Sequence, residues 1–226
     1  MSDDTAVMVV ATDISRTFDG NGYSVAALKH ASCKIVAGDR VAIVGRSGSG
    51  KSTLLHILSG LDVPSEGRVG WPTIGAREKL RPAAVGVMFQ FPSLVPWLTV
   101  QENVALPLQL AGRSNSHGPA ADALARFELK DLADRLPDAL SGGQAQRVAL
   151  VRAIVADPVL VFADEPTGQI DYATALSVMK ALIGWADETG ATVVVATHDM
   201  SIAHQMTRQW SMDRGTLIIA DQEVQQ

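Results

Sequence analysis

Short apolar runs alternate along this chain with stretches in which apolar residues recur every three or four positions. That alternation predicts an α/β architecture with a largely parallel sheet. Arg40 to Val44 is a β-rich run, and Lys51 to Leu58 follows with Leu54, Leu55 and Leu58 at helical spacing. Val159 to Ala163 and Thr192 to Ala196 read as two more buried strands. Tyr172 to Glu188 reads as a helix, with Gly190 placed for its C-cap. Val7 to Ile35 alternates in the manner of antiparallel strands, while Pro92 to Val155 is Leu- and Ala-rich and mostly helical. Gly112 to Pro119 interrupts that helical region, and its Gly, Ser, Asn, His and Pro predict a mobile surface loop. The expected organisation is one domain over residues 1–226, a mixed α/β core with an inserted helical lobe at about 92–155.

Composition narrows the class. Hydrophobic residues make up 47% and charged residues 19%, a globular balance. The formal net charge is -5 and no Lys/Arg run stands out, so no nucleic-acid partner is expected. Met1 to Thr5 is acidic and polar, unlike a secretory leader, and no apolar run approaches the length of a membrane span. A role at a membrane would therefore come through a partner. The single cysteine, Cys33, allows no internal disulfide and reads as a core residue.

The candidate chemistry begins at Gly45-Arg46-Ser47-Gly48-Ser49-Gly50-Lys51-Ser52, which fits the P-loop pattern. Glycines let backbone N–H groups curl around phosphate oxygens without a Cβ in the way. The helix that follows points its positive end at the same place. Lys51 would neutralise the β- and γ-phosphates of ATP. Ser52 would offer Mg²⁺ a hard oxygen, and Thr53 a donor toward the α-phosphate. A chance glycine turn would not need the apolar strand before it and the amphipathic helix after it.

Phosphoryl chemistry also needs a metal-anchoring acid at the end of a second strand. Leu160-Val161-Phe162-Ala163-Asp164-Glu165 supplies one. Asp164 is the expected Mg²⁺ anchor, through water, and Glu165 the base or water-positioner. Leu140-Ser141-Gly142-Gly143-Gln144 adds a second phosphate-ready helix start, with Ser141 as a good N-cap and two glycines baring the backbone.

That last string resembles the signature sequence of ABC ATPases, and the ordered motifs resemble that family over nearly the whole chain, from about Val9 to Ile219. The resemblance implies the ABC ATPase fold: a P-loop core with a mixed sheet, an antiparallel β subdomain and the helical lobe. It implies a head-to-tail pair of two copies, in which Ser141, Gly142, Gly143 and Gln144 of one copy close over the ATP held by the other. Gln90 resembles the Q-loop glutamine, in contact with Mg²⁺ or the attacking water. His198 resembles the switch histidine at the γ-phosphate. Asp171 resembles the D-loop aspartate at the dimer interface. Phe18, in Ser15-Arg16-Thr17-Phe18, resembles the aromatic that stacks on adenine, with Tyr23 as the competitor.

Finer features resemble the lipoprotein-release, macrolide-export and cell-division group. They are Ala27-Leu28, Phe89-Gln90, Thr99-Val100-Gln101-Glu102-Asn103-Val104 and Pro166-Thr167-Gly168-Gln169-Ile170-Asp171. The function implied is an ATP-hydrolysing subunit that drives a separate membrane permease, held at the inner face of the cell membrane by that permease. Two alternatives stay open: ATP-driven signalling to cell-wall hydrolysis, and a soluble ABC ATPase without a transport role. Phe91 to Val100, with Trp97, is either the permease contact or helical-lobe core.

Overall fold

The computed structural model describes residues 6–20, 22–168 and 170–219. Met1 to Thr5, read above as no leader, and Gln169 of the Pro166–Asp171 motif lie outside them. In chain order the first elements are β1 (Val7–Gly20), β2 (Tyr23–Val36), β3 (Arg40–Val44), α1 (Lys51–Leu58), β4 (Glu66–Gly70) and β5 (Val85–Met88). Then come α2 (Val100–Leu110), α3 (His117–Arg126), α4 (Gly142–Ile154), β6 (Leu160–Asp164) and α5 (Tyr172–Thr189). The last are β7 (Thr192–Thr197), α6 (Met200–Ala203), β8 (Arg208–Asp213) and β9 (Thr216–Ile219). Two compact units divide the chain: Met1–Arg77 with Val194–Gln226, and Glu78–Val193.

In the first unit the early alternation builds a long antiparallel hairpin, β1 on β2, running from Val9 opposite Ile35 to Gly20 opposite Tyr23. The strand order there is β4-β1-β2-β9-β8-β3. β3 pairs parallel with β8, Val41 beside Arg208 and Val44 beside Ser211. Parallel strands buried on both faces need continuous apolar runs, and Val41, Ala42 and Ile43 are all fully buried. α1 follows β3 as expected and buries Leu54, Leu55 and Leu58, each worth roughly 1.5–3 kcal/mol in apolar transfer. Cys33 lies within β2 rather than ahead of a strand. Burial pushes its thiol up to about 12, opposed by the Arg208 charge, so it is an inert core group.

In the second unit β5 and β6 pair parallel, Val85 with Leu160 through Met88 with Ala163. Val159, expected inside this strand, is half exposed just before it. α2, α3 and α4 enclose their own apolar cluster of Val104, Leu108, Leu124, Val148 and Val151 with their neighbours. The expected loop at Gly112 to Pro119 is shorter than its composition suggests. α3 already starts at His117 and takes in Gly118 and Pro119. Proline within the first turn lacks only an N–H that has no helical partner there. α5 ends as expected, with Gly190 in the left-handed region at φ 70. Among the described residues no helix is long and apolar enough to cross a membrane.

Candidate functional site

The phosphate loop lies in the first unit, between β3 and α1. Gly48 and Gly50 have φ of 74 and 104, where a side chain is strained. A Cβ on Gly50 would press into the carbonyl oxygen of Ala27, and one on Gly45 into that of Met212. Glycine is therefore demanded twice over, by conformation and by close approach. Lys51 is buried, and its Nζ donates to the carbonyls of Gly45 at 2.9 Å and Arg46 at 3.2 Å. The ammonium is thus held across the loop that it closes. The hydroxyl of Ser49 is buried without a hydrogen-bond partner among the described residues. No side chain caps α1, and its first turn carries no acid. A glycine cradle, a poised cation, an orphan hydroxyl and an uncapped positive helix end fit a bound polyphosphate. Ser52 and Thr53 follow Lys51 in the first turn of α1.

The same unit carries three other expected residues. His198 is exposed just after β7, and Asp199 beside it caps α6 by accepting from the Ser201 N–H at 2.8 Å. The Ser201 side-chain hydrogen bond, then its backbone bond and the His198 charge, hold the Asp199 carboxyl below the usual carboxylate range. Phe18 is 44% exposed near the hairpin end. The guanidinium of Arg16 lies 4.5 Å over its ring, and Arg16 is fixed in turn by Asp62 through bonds of 2.9 and 3.1 Å. Tyr23 is 68% exposed, and among the described residues no cation lies over its ring.

The second unit carries the acids. All five residues of β6 are buried, so Asp164 emerges at its C-terminal end only 5% exposed. Glu165 is 8% exposed and sits at φ 43, in the left-handed region and directly before Pro166. Both facts disfavour an ordinary residue there, and strain of this kind collects at functional positions. The turn is tied by Gly168 N–H to the Glu165 carbonyl at 3.0 Å. Gln90 is exposed two residues after β5 and lies beside this turn, its Nε2 3.8 Å from the place a Cβ on Gly168 would take. Ser52, Asp164 and Gln90 are all oxygen donors of the kind Mg²⁺ takes.

Ser141 caps α4 as expected. Its hydroxyl accepts from Gln144 N–H at 3.2 Å, and the Gln144 side chain accepts from Ser141 N–H at 2.9 Å. This reciprocal capping box engages the signature glutamine locally, and Ser-x-x-Gln was the signal for it. Ser141 and Gly142 remain exposed. Gly143 has a packing reason to be glycine as well, since a Cβ there would lie 2.7 Å from Thr174 Cγ2. Asp171 caps α5 through Thr174, whose hydroxyl donates to it at 2.6 Å; that bond and the Thr174 backbone bond keep its carboxyl below the usual range.

Sequence reasoning missed the braces. Gln146, 3% exposed on α4, donates to the Pro166 carbonyl at 2.8 Å. Its signal was a glutamine on the same helical face as Leu150. Asn103 is fully buried: it accepts from Val95 N–H and donates to the carbonyls of Val95, Leu98 and Thr99. Arg152 donates to the carbonyls of Pro92 and Ser93 at 2.8 Å each. Together they fix the segment after Gln90. That segment divides between the two expectations: Val100 joins the core and Leu94 packs on it, while Phe91 and Trp97 are 59% and 77% exposed.

Comparison with known proteins agrees with these features. A sequence profile of the family described as "ABC transporter" matches residues 28–168. The lipoprotein-releasing system ATP-binding protein LolD of Bordetella pertussis (strain Tohama I) is 42% identical over 224 residues, covering 95% of this chain and 96% of the relative. LolD of Legionella pneumophila (strain Paris) is 38% identical over 220 residues, covering 93% and 97%. A solved structure of the ATP-binding cassette MJ0796, dimeric and in a post-hydrolysis state bound to ADP and Pi, is similar with a TM-score of 0.85. It is 36% identical and covers 93% of this chain and 96% of that one.

Proposed function

We propose that this chain, which belongs to the ABC transporter family, is the ATP-hydrolysing subunit of a membrane complex that releases lipoproteins. It is an ATPase that works on ATP together with Mg²⁺. That the 42%-identical relative belongs to a lipoprotein-releasing system favours lipoprotein release over the signalling and soluble alternatives. Two copies pair head to tail, and a separate permease holds them at the inner face of the membrane.

The roles follow from the chemistry of each group. The loop Gly45 to Ser52, with Arg46, Ser47 and Ser49 in it, binds the triphosphate through backbone N–H groups, and Lys51 answers its charge. Ser52, Asp164 and Gln90 would hold Mg²⁺, which supplies neutralisation of the phosphate oxygens when bound. Glu165 positions and deprotonates the attacking water, while His198 bonds the γ-phosphate and orients Glu165. Ser141, Gly142, Gly143 and Gln144 would complete the partner's site, with Asp171 at the same interface. The observation that carries the reading is the phosphate loop, where two enforced glycines, a buried lysine and an orphan hydroxyl meet at one uncapped helix end.

Phe18 is favoured for adenine because Arg16 braces its ring while the residue stays 44% exposed, within reach of a base. Stacking of a base on an aromatic is worth about 1–3 kcal/mol, so Phe18→Ala should weaken ATP binding roughly tenfold. Tyr23→Ala should leave it within about twofold. Titration with a fluorescent ATP analogue checks this, and the reverse pattern would move the role to Tyr23.

The helical lobe, residues 92–155, is the part that meets the permease. Two large exposed apolar side chains, Phe91 and Trp97, stand on a segment braced by Asn103 and Arg152. Rigid aromatic anchors of this sort dominate binding energy at interfaces. The Phe91→Ala/Trp97→Ala double variant should lose its membrane partner in mild-detergent copurification and keep its ATP affinity. Retention of the full complement of partner would remove this surface from the reading.

A further inference from the structure

Gln146 joins the two chemically charged segments of the second unit. It lies on α4, whose first residues are the signature, and its amide reaches the carbonyl of Pro166, next to Glu165. α4 also meets the element that follows, where Gly143 packs on Thr174 in the first turn of α5. The signature helix is thus tied to the Glu165 turn by the Gln146 bond and to the start of α5 by the Gly143 contact. Glu165 needs such a tie. Its left-handed φ of 43 ahead of a proline persists only while neighbours over-determine it. Among the hydrogen bonds at that end, one runs from Gly168 N–H to the Glu165 carbonyl and one from the Gln146 amide to the next carbonyl along. The first is local to the turn. The second comes from the helix that bears the signature, and it is buried, where a lost partner leaves the carbonyl unsatisfied.

We infer that Gln146 is a positioning residue that holds the Glu165 turn in register with the signature helix, so that engagement of the signature sets the geometry of the chain's own water-positioning carboxylate. This rests on the reading of Glu165 and on head-to-tail pairing. In such a pair the signature answers the nucleotide on the other copy, so the Gln146 bond links the two nucleotide sites.

The test uses two substitutions in the full chain with its partner copy. Gln146→Met keeps the shape and removes the donor. It should lower kcat about tenfold, as loss of one buried hydrogen bond does, with the KM for ATP within about twofold. The Hill coefficient for ATP should fall toward one. In the protein without nucleotide, hydrogen exchange should quicken at Gly168 and leave the phosphate loop unchanged. Gln146→Glu adds a pH readout. A protonated carboxyl can donate to the Pro166 carbonyl and an ionised one cannot, so kcat relative to the parent should rise as pH falls. If Gln146→Met fails to fold, this profile still decides the matter.

Parental kcat and Hill coefficient in folded Gln146→Met would overturn the inference, as would a pH-independent ratio for Gln146→Glu. Glu165→Gln separates the two levels. Rapid turnover by Glu165→Gln overturns the underlying reading. A slow Glu165→Gln beside a parental Gln146→Met overturns this inference alone.

Discussion

Glu165→Gln should cut ATP turnover about a thousandfold, within the span general-base catalysis supplies, and leave ATP affinity within about threefold. The side chain keeps its size and loses only the charge that accepts a proton. Glu165 is buried at the end of β6, where a neutral amide is no harder to accommodate than a carboxylate, so the thermal midpoint should stay within a few degrees. The backbone at φ 43 burdens glutamine and glutamate alike, which isolates the chemical effect from the conformational one. With hydrolysis blocked, the ATP-bound pair should persist, visible as a dimer in size-exclusion chromatography that ADP does not support. Turnover near the parental rate would remove Glu165 from its role and leave Asp164 or His198 to be tested.

The elements that place this site were legible because their signals are local. β3, the glycine loop and α1 follow one another as a β-rich run, a phosphate pattern and a helical leucine spacing, and α1 spans Lys51–Leu58 as expected. Ser141 was legible as a cap for the same reason. The braces were not. Gln146 and Arg152 act by reaching backbone carbonyls far along the chain, which tertiary packing selects, and Asn103 by folding the loop just ahead of it onto its own amide. The same limit explains the strain at Glu165: an Asp-Glu-Pro string does not announce a left-handed glutamate. At His117 the local signal itself misled. Gly118 and Pro119 read as loop punctuation, yet both sit in the first turn of α3, where burial of Ala120 and Leu124 fixes the helix. The segment after Gln90 divides between core and surface because its alternating Leu94, Trp97 and Val100 face different ways.

Lys51→Ala should weaken ATP binding about a hundredfold, since charge-assisted hydrogen bonds contribute roughly 1.5–3 kcal/mol each. Lys51 has two effects that this number alone would confound. Its ammonium answers phosphate charge, and it also bonds the carbonyls of Gly45 and Arg46 and so shapes the loop. Ligand comparison separates them. If the charge matters most, ATP loses the hundredfold, ADP loses less, and adenosine, which has no phosphate, binds as before. If the loop collapses without its lysine, all phosphate-bearing ligands weaken to the same degree, because the N–H cradle serves each of them. Calorimetric titration with the three ligands gives the pattern directly. The enforced glycines argue for the first outcome: Gly45 and Gly50 are fixed by close approach to Met212 and Ala27, contacts that the substitution does not touch. The cradle should therefore survive, and the loss should grow with the number of phosphates. Unchanged ATP affinity would mean that the loop is not the phosphate site, and the assignment of Ser52 and Thr53 would go with it.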